Sequence, residues 1–344
     1  MPGGFSVTSL HLVVLALLCA VLSYALIRVL MPVFRRYALA RPNARSSHSV
    51  PTPQGGGVAV VLATLAGVFA VAVALPETEL WSRAMAMLAL ATMLLAATGA
   101  LDDLRPLPVM PRLAVQILAA GCGALLLTAN GPTTMFGAAS WPVVLIAAIG
   151  LIWFINLTNF MDGIDGITVA EFVPMTVALA MLSVSGLTSP TSGCIAAALC
   201  GGLVGFAPYN RHVAKLFLGD VGSLAIGFIA GCLLLRLALD GHLSSALILP
   251  MYYLADATLT LLRRFLRGER ITEAHRSHFY QRATDLGWRA PEITGLILRV
   301  NIALCLLAVA TAFYDSAAVQ MTAVISALAL TAWLLRQLSQ AARR

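Results

Sequence analysis

Asp102, Asp103, Asp162, Asp165 and Asp220 are carboxylates in a chain that otherwise avoids charge, and each stands at or near the end of a long apolar run. An ionisable group close to hydrocarbon is costly and usually has a task. Acids gathered from three separate helix ends suit a divalent cation holding phosphates, because hard cations take oxygen ligands and share them with phosphate. Asn156, Asn159, Asp162 and Asp165 recur at every third position. On a helix or a tightened helix end that spacing makes one polar ridge. The ridge is too long to wrap one ion, so the carboxylates are expected near metal or phosphate and the carboxamides further along. Adjacent helix residues point about 100° apart, so one of Asp102 and Asp103 can face a ligand while the other pairs with Arg105. Two acids at a helix C-terminus oppose the helix dipole, which favours a functional reading over an ordinary helix-end ion pair.

Three further segments carry donors. Gly55, Gly56 and Gly57 open an apolar run just after Arg45 and His48. Free N–H groups at such a start suit an anion, and close packing is the plain alternative. Asp220 between Gly219 and Gly222 fits a tightly approached ligand, or an N-cap. The chain's only lysine, Lys215, lies just before it. His275, Arg276, His278, Tyr280 and Gln281 concentrate groups able to grip phosphate, sugar hydroxyls or a base. Arg263, Arg264 and Arg267 read as anchoring beside a membrane. Glu171 is expected to support the acid row, and Asp256 to pair with a basic neighbour or line a cavity.

The elements that must position these groups are membrane helices. The chain has 344 residues, 60% hydrophobic and 11% charged, with a mean hydropathy of +0.89. Soluble domains carry about a quarter charged residues. Apolar runs predict spans at 8–30, 57–75, 83–101, 113–130, 141–157, 167–186, 190–208, 221–239, 243–263, 292–314 and 317–337. The expected fold is all-α, one polytopic domain over 1–344 with about eleven transmembrane helices. Twenty of the 22 basic residues fall on one side of that plan, leaving Arg83 and Arg236 on the other. The positive-inside rule makes the basic side cytoplasmic, with the N-terminus outside and the C-terminus inside. The loops at about 31–56, 101–112, 156–167, 208–221 and 264–291 then share the cytoplasmic face. The net charge of +7 is this topology signal plus affinity for an anionic bilayer, so no nucleic-acid partner is expected. The six cysteines fall inside predicted helices without CxxC spacing and imply neither disulfides nor zinc.

Taken in order, Asp102 with Asp103, the row Asn156, Asn159, Asp162 and Asp165, the run Phe217 to Ser223, and His275 to His278 resemble the polyprenyl-phosphate N-acetylhexosamine-1-phosphate transferases, the MraY/WecA-like superfamily. The first loop and the His275–Gln281 run look most like the branch that initiates O-antigen chains, the WbpL type. The resemblance implies transfer of an N-acetylhexosamine 1-phosphate, often a 6-deoxy sugar, from a UDP-N-acetyl sugar to undecaprenyl phosphate in a bacterial inner membrane. It implies Mg²⁺, with Mn²⁺ as the alternative, and Asp220 as the main metal ligand. Asp102 or Asp103 would orient or deprotonate the lipid phosphate, and Asp162 and Asp165 would complete the metal and diphosphate site. Asn156, Asn159, Lys215, His275, Arg276, His278, Arg45, His48 and Gly56 are the expected substrate contacts, and a homodimer is compatible with the plan. Two positions depart from the family pattern: Ala40 stands where an acid is expected, and Gln54 where an Arg is. The runner-up is an ion-coupled secondary transporter, but coupling acids usually lie near mid-membrane, and these lie at helix ends.

Overall fold

Long stretches of Leu, Ala, Val and Ile satisfy their backbone groups internally only as helices when no water is near. The computed structural model describes residues 8–40, 51–75, 82–129, 141–270 and 275–342. It contains α1 (Ser9–Tyr37), α2 (Gly56–Ala74), α3 (Arg83–Leu104), α4 (Val109–Ala129), α5 (Trp141–Met161), α6 (Ile167–Val184), α7 (Pro190–Asn210) and α8 (Asp220–Leu239). These are followed by α9 (Leu243–Ile248), α10 (Met251–Leu266), α11 (Phe279–Asp285), α12 (Ala290–Phe313) and α13 (Ala317–Leu338). Among the described residues the only sheet is a two-strand ladder, β1 (Leu39–Ala40) with β2 (Thr52–Pro53). Among the described residues ten helices are long and apolar enough to cross a membrane, so the chain is an all-α, multi-pass membrane protein. Leu17, Leu18, Leu118, Ile146 and Leu306 are among many large apolar side chains left on the outside, where acyl chains would cover them.

The expected span 243–263 is built as two pieces. Pro250 has no N–H to continue the ladder, and α9 gives way to α10 across Leu249 and Pro250. Helix α1 runs on to Tyr37, seven residues past the expected boundary, carrying Arg35 and Arg36 in its last turn. The short helix α11 was not foreseen from hydropathy.

The bundle is graded from inside to outside. In α7 and α8, 72% and 78% of the apolar stretch is buried, against 28% in α1, α3 and α13. Small residues make this enclosure possible, as they do generally between membrane helices. A side chain at Gly201 or Gly205 of α7 would strike the carbonyls of Ala16 or Ala20 on α1 at 2.1 and 2.2 Å. The central helix α8 opens with Asp220, so the most enclosed element begins at the acid cluster.

Candidate active site

The acids meet where the C-terminus of α3 presses on the N-terminus of α8. A Cβ at Gly99 would lie 2.3 Å from the Asp220 carbonyl, so only glycine allows this approach. The first N–H groups of a helix lack intrahelical partners. Asp103 supplies them: Asp220 N–H donates to its Oδ1 at 2.9 Å and Val221 N–H to its Oδ2 at 3.1 Å. The N-cap role conceivable for Asp220 therefore belongs to Asp103, acting from another helix. Gln54 Nε2 donates to the Asp103 carbonyl at 2.7 Å, so the residue that departs from the family pattern braces this junction.

With its helix capped by Asp103, the Asp220 side chain is free to point elsewhere. Asn159 Nδ2 donates to Asp220 Oδ1 at 2.8 Å and reaches Ser223 Oγ at 2.9 Å. Arg112, in the first turn of α4, donates to Asp102 Oδ2 and approaches Asp220 Oδ2 at 3.4 Å. The expected partner of the acid pair, Arg105, is exposed instead. The chain reverses between α3 and α4, and Leu107 N–H closes onto Asp102 Oδ1 at 2.5 Å, which brings α4 back over the acids.

Asp162 lies in the connection between α5 and α6. Thr168 Oγ1 donates to its Oδ1 at 2.5 Å. Desolvation pushes its carboxyl up to about 6, and the Asp103 and Asp165 charges push the same way. Asp103, Asn159, Asp162, Asp220 and Ser223 line a cavity of about 220 Å³, together with Gln54, Asn210 and Gln281. Among the described residues no group of three or more His, Cys, Asp or Glu side chains could close around a metal ion unaided.

Other expected contacts lie elsewhere. Asp165 is buried and turned from the cavity, taking His212 Nδ1 at 2.8 Å and Ala214 N–H at 3.1 Å, and so pins the 208–221 loop. Asn156 sits one turn deeper and donates to Gln116 Oε1 at 2.7 Å. Gly56 is corrected from an anion cradle to a packing position. Its N–H donates to the Phe217 carbonyl at 2.9 Å, that of Gly57 to Leu218 at 2.8 Å, and a Cβ on Gly56 would enter the Phe206 ring. Lys215 is exposed and does not line the cavity. Arg45 and His48 lie outside the described residues.

The His275–Gln281 segment is folded on itself more than its donors suggested. His278 is 2% exposed and shares Asp256 with a helix start. Asp256 Oδ1 takes His278 Nδ1 at 3.2 Å and Phe279 N–H at 3.0 Å, and Oδ2 takes Tyr280 N–H at 3.3 Å. Arg276 Nη2 bonds Thr284 Oγ1 at 3.0 Å and Asp285 at 3.2 Å. His275 stacks on His278 with centroids 5.0 Å apart, and desolvation with the His278 and Arg264 charges lowers it to about 4. Of this run only Gln281 reaches the cavity wall. Tyr280 seats the segment beneath the acids by donating to the Phe160 carbonyl at 2.9 Å.

The sequence assigns no role to Arg112 or Thr168; Gln281 and Ser223 lie inside motifs already read, and Gln54 stands out only as a departure. Arg112 carries a signal as the second cation after the acid pair, in the first turn of the next helix. The others are neutral residues whose importance comes from contacts between segments far apart in sequence.

The fold and the site define a multi-pass helical membrane protein with a polar, acid-lined cavity where helix ends meet. Residues 85–238 match the family described as glycosyl transferase family 4. The matched stretch holds every acid of the cavity but not the His275–Gln281 run. The chain is 27% identical to a decaprenyl-phosphate N-acetylglucosaminephosphotransferase of Mycobacterium tuberculosis, over 94% of this chain and 89% of the relative. It is 24% identical to a probable undecaprenyl-phosphate N-acetylglucosaminyl 1-phosphate transferase of Bacillus subtilis, over 78% and 76%. A phospho-N-acetylmuramoyl-pentapeptide-transferase of Caldanaerobacter subterraneus is 34% identical over 40% and 43%. These matches bear out the resemblance to the MraY/WecA-like superfamily of polyprenyl-phosphate sugar-1-phosphate transferases.

Proposed function

We propose that this protein transfers an N-acetylhexosamine 1-phosphate from a UDP-sugar to undecaprenyl phosphate, releasing UMP. The observation that carries the reading is the cavity at the α3–α8 junction, where Asp103 is consumed by the helix start and Asp162 and Asp220 face the open space. A phosphate oxygen of the lipid attacks the sugar-bearing phosphorus of the donor. The bond from that phosphorus to the bridging oxygen breaks, and the electron pair leaves with UMP. One phosphoanhydride replaces another, so the reaction is near balance and reversible. Phosphoryl transfer of this kind needs positioning and charge neutralisation more than covalent help.

The donor set fits Mg²⁺, which prefers one or two carboxylates plus substrate phosphates to a closed protein cage. Asp220 and Asp162 would hold it, and it would neutralise charge on the diphosphate. Asn159 orients the Asp220 carboxylate and Arg112 offsets the charge of Asp102 beside it. Asp102 is the acid best placed at the edge of the site to orient the incoming lipid phosphate, since Asp103 is committed to α8. The basic asymmetry supports a cytoplasmic position for this end in a bacterial inner membrane, where UDP-sugars are available. The first-loop and His275–Gln281 motifs favour an O-antigen-type role with an N-acetyl or 6-deoxy-N-acetyl sugar.

Purified protein given undecaprenyl phosphate, Mg²⁺ and labelled UMP is expected to exchange label into a UDP-N-acetyl sugar. A panel of such donors, read as lipid-linked product, identifies the sugar. No exchange with any donor in protein that is folded and supplied with lipid overturns the reading.

A further inference from the structure

Behind the cavity, three helices bring polar side chains into a dry space. Glu171 of α6 and Asn301 of α12 are each 1% exposed, and Tyr253 of α10 is fully buried. Asn301 Nδ2 donates to Glu171 Oε2 at 2.6 Å and to the Ala170 carbonyl at 3.1 Å. A carboxamide oxygen could not face the Ala170 carbonyl, so these two acceptors fix which end of the amide is nitrogen. Glu171 Oε1 and Asn301 Oδ1 are then left buried with no hydrogen-bond partner. Such atoms are rare in native proteins, and each calls for a physical reason.

One proton removes both anomalies. A protonated Glu171 carries an O–H on Oε1, and the neighbouring orphan Asn301 Oδ1 is an acceptor. Donated to Asn301 Oδ1, that O–H would close a ring of two hydrogen bonds with the Asn301 Nδ2 contact and satisfy both atoms. The alternative, an ionised carboxylate with one bare oxygen, is a heavily disfavoured state in a buried site. The titratable groups facing Glu171 are Tyr252 and Tyr253 on α10 and Cys305 on α12, none of them a cation. Among the described residues no ion pair reaches Glu171. The Tyr253 backbone N–H, in the first turn of α10, also faces this carboxyl. A single N–H serves a neutral acid's carbonyl oxygen and does not replace a counter-ion.

We infer that Glu171 is carried as a neutral carboxylic acid paired face to face with Asn301, and that this pair is a positioning site tying α6 and α12 to the start of α10. The location matters because α10 begins at the Leu249–Pro250 break, where helix N–H groups lack partners inside the membrane. It also backs the cavity. Thr168 lies one turn before Glu171 on α6, holds Asp162 Oδ1, and has the Tyr253 phenol against it. The consequence for Asp162 rests on the proposed reaction, whereas the proton and the tie between helices do not.

Infrared spectroscopy of the purified full chain at neutral pH, with carbon-13 glutamate as the label, tests the proton directly. The expected result is a protonated-carboxyl carbonyl band that moves with the label and is lost in Glu171→Gln. Loss of carboxylate bands instead overturns the inference. Asn301→Leu should keep the protonated band and move it to higher frequency, and an unmoved band would remove Asn301 as its partner. Glu171→Gln retains one donor and one acceptor, so it should keep the wild-type melting midpoint and UMP exchange, while Glu171→Leu loses both. A Glu171→Leu protein as stable and active as wild type overturns the positioning role. Absence of exchange in the wild type counts against the proposed reaction alone, because the band and the melting midpoint still decide the pair.

Discussion

Asp220 and Asp256 both sit in helices of this bundle, and the structure treats them in opposite ways. Asp256 is fully buried and takes five donors: Tyr252 Oη, Thr260 Oγ1, His278 Nδ1 and the N–H groups of Phe279 and Tyr280. Asp220 has one good donor from Asn159, a long contact from Arg112 and the Asp102 carboxyl against it, and it looks into a cavity. The comparison shows that an acid in a membrane helix is not by itself a functional sign. A saturated carboxylate holds structure together, and an undersaturated one beside open space has capacity to spare.

The largest expected effect breaks the comparison from the cavity side. Asp220→Asn keeps the size and the Asn159 neighbour but removes the charge, and should reduce UMP exchange by about 10²-fold or more, as expected when electrostatic stabilisation worth several kcal/mol is lost. Its melting midpoint should stay near wild type, because Asp103 caps α8. Near-normal exchange at saturating Mg²⁺ would remove Asp220 from the chemistry.

The next effect comes from the saturated acid. Asp256→Ala leaves buried donors without an acceptor, each costing about 1–3 kcal/mol. Thermal unfolding in detergent should therefore show a clear loss of stability, with exchange falling in proportion to the folded fraction. A stable Asp256→Ala protein with exchange abolished would move Asp256 into the site and undo the contrast.

A smaller effect is expected at His278. Its burial against Asp256 predicts that His278→Ala depresses kcat/KM by one common factor for all UDP-sugars. Unequal depression among donors differing at C4 or C6 would show that the segment opens and touches the sugar.

The smallest effect is a pH slope at His275. Its folded-state pKa is held down to about 4, below the ordinary His value near 6.5. The unfolded chain therefore binds a proton first as pH falls, and stability is lost between about 6.5 and about 4. His275→Gln should flatten that part of the melting-midpoint profile, and an unchanged slope would assign it to other groups.

The helical plan was legible because hydropathy and bilayer thickness leave few alternatives. Spans such as 83–101 and 221–239 start within a residue of α3 and α8. The acid row at Asn159 and Asp162 was legible from its spacing, since polar residues repeating beside hydrocarbon have few bland explanations. The division of labour was not. Asp102, Asp103, Asp165 and Asp220 look alike in sequence; only the packing of α3 on α8 assigns Asp103 to a helix start, and only the α7–α8 loop folding onto the α5–α6 connection assigns Asp165 to that loop. Helix α11 escaped because it is seven residues long and depends on an acid 23 positions away, Asp256. Gly56 misled because a glycine before a helix serves an anion or a close neighbour equally well, and here the neighbour is a ring.

Arg112 stands between Asp102 and Asp220 as a resident cation. Any metal or substrate cation arriving at Asp220 therefore meets a seat with a lodger. Occupancy becomes an exchange of counter-ions, and its apparent strength is the difference between two attractions. The hold on Asp220, at 3.4 Å, is the weaker of the two and would be the one to yield to a metal ion in the proposed reaction.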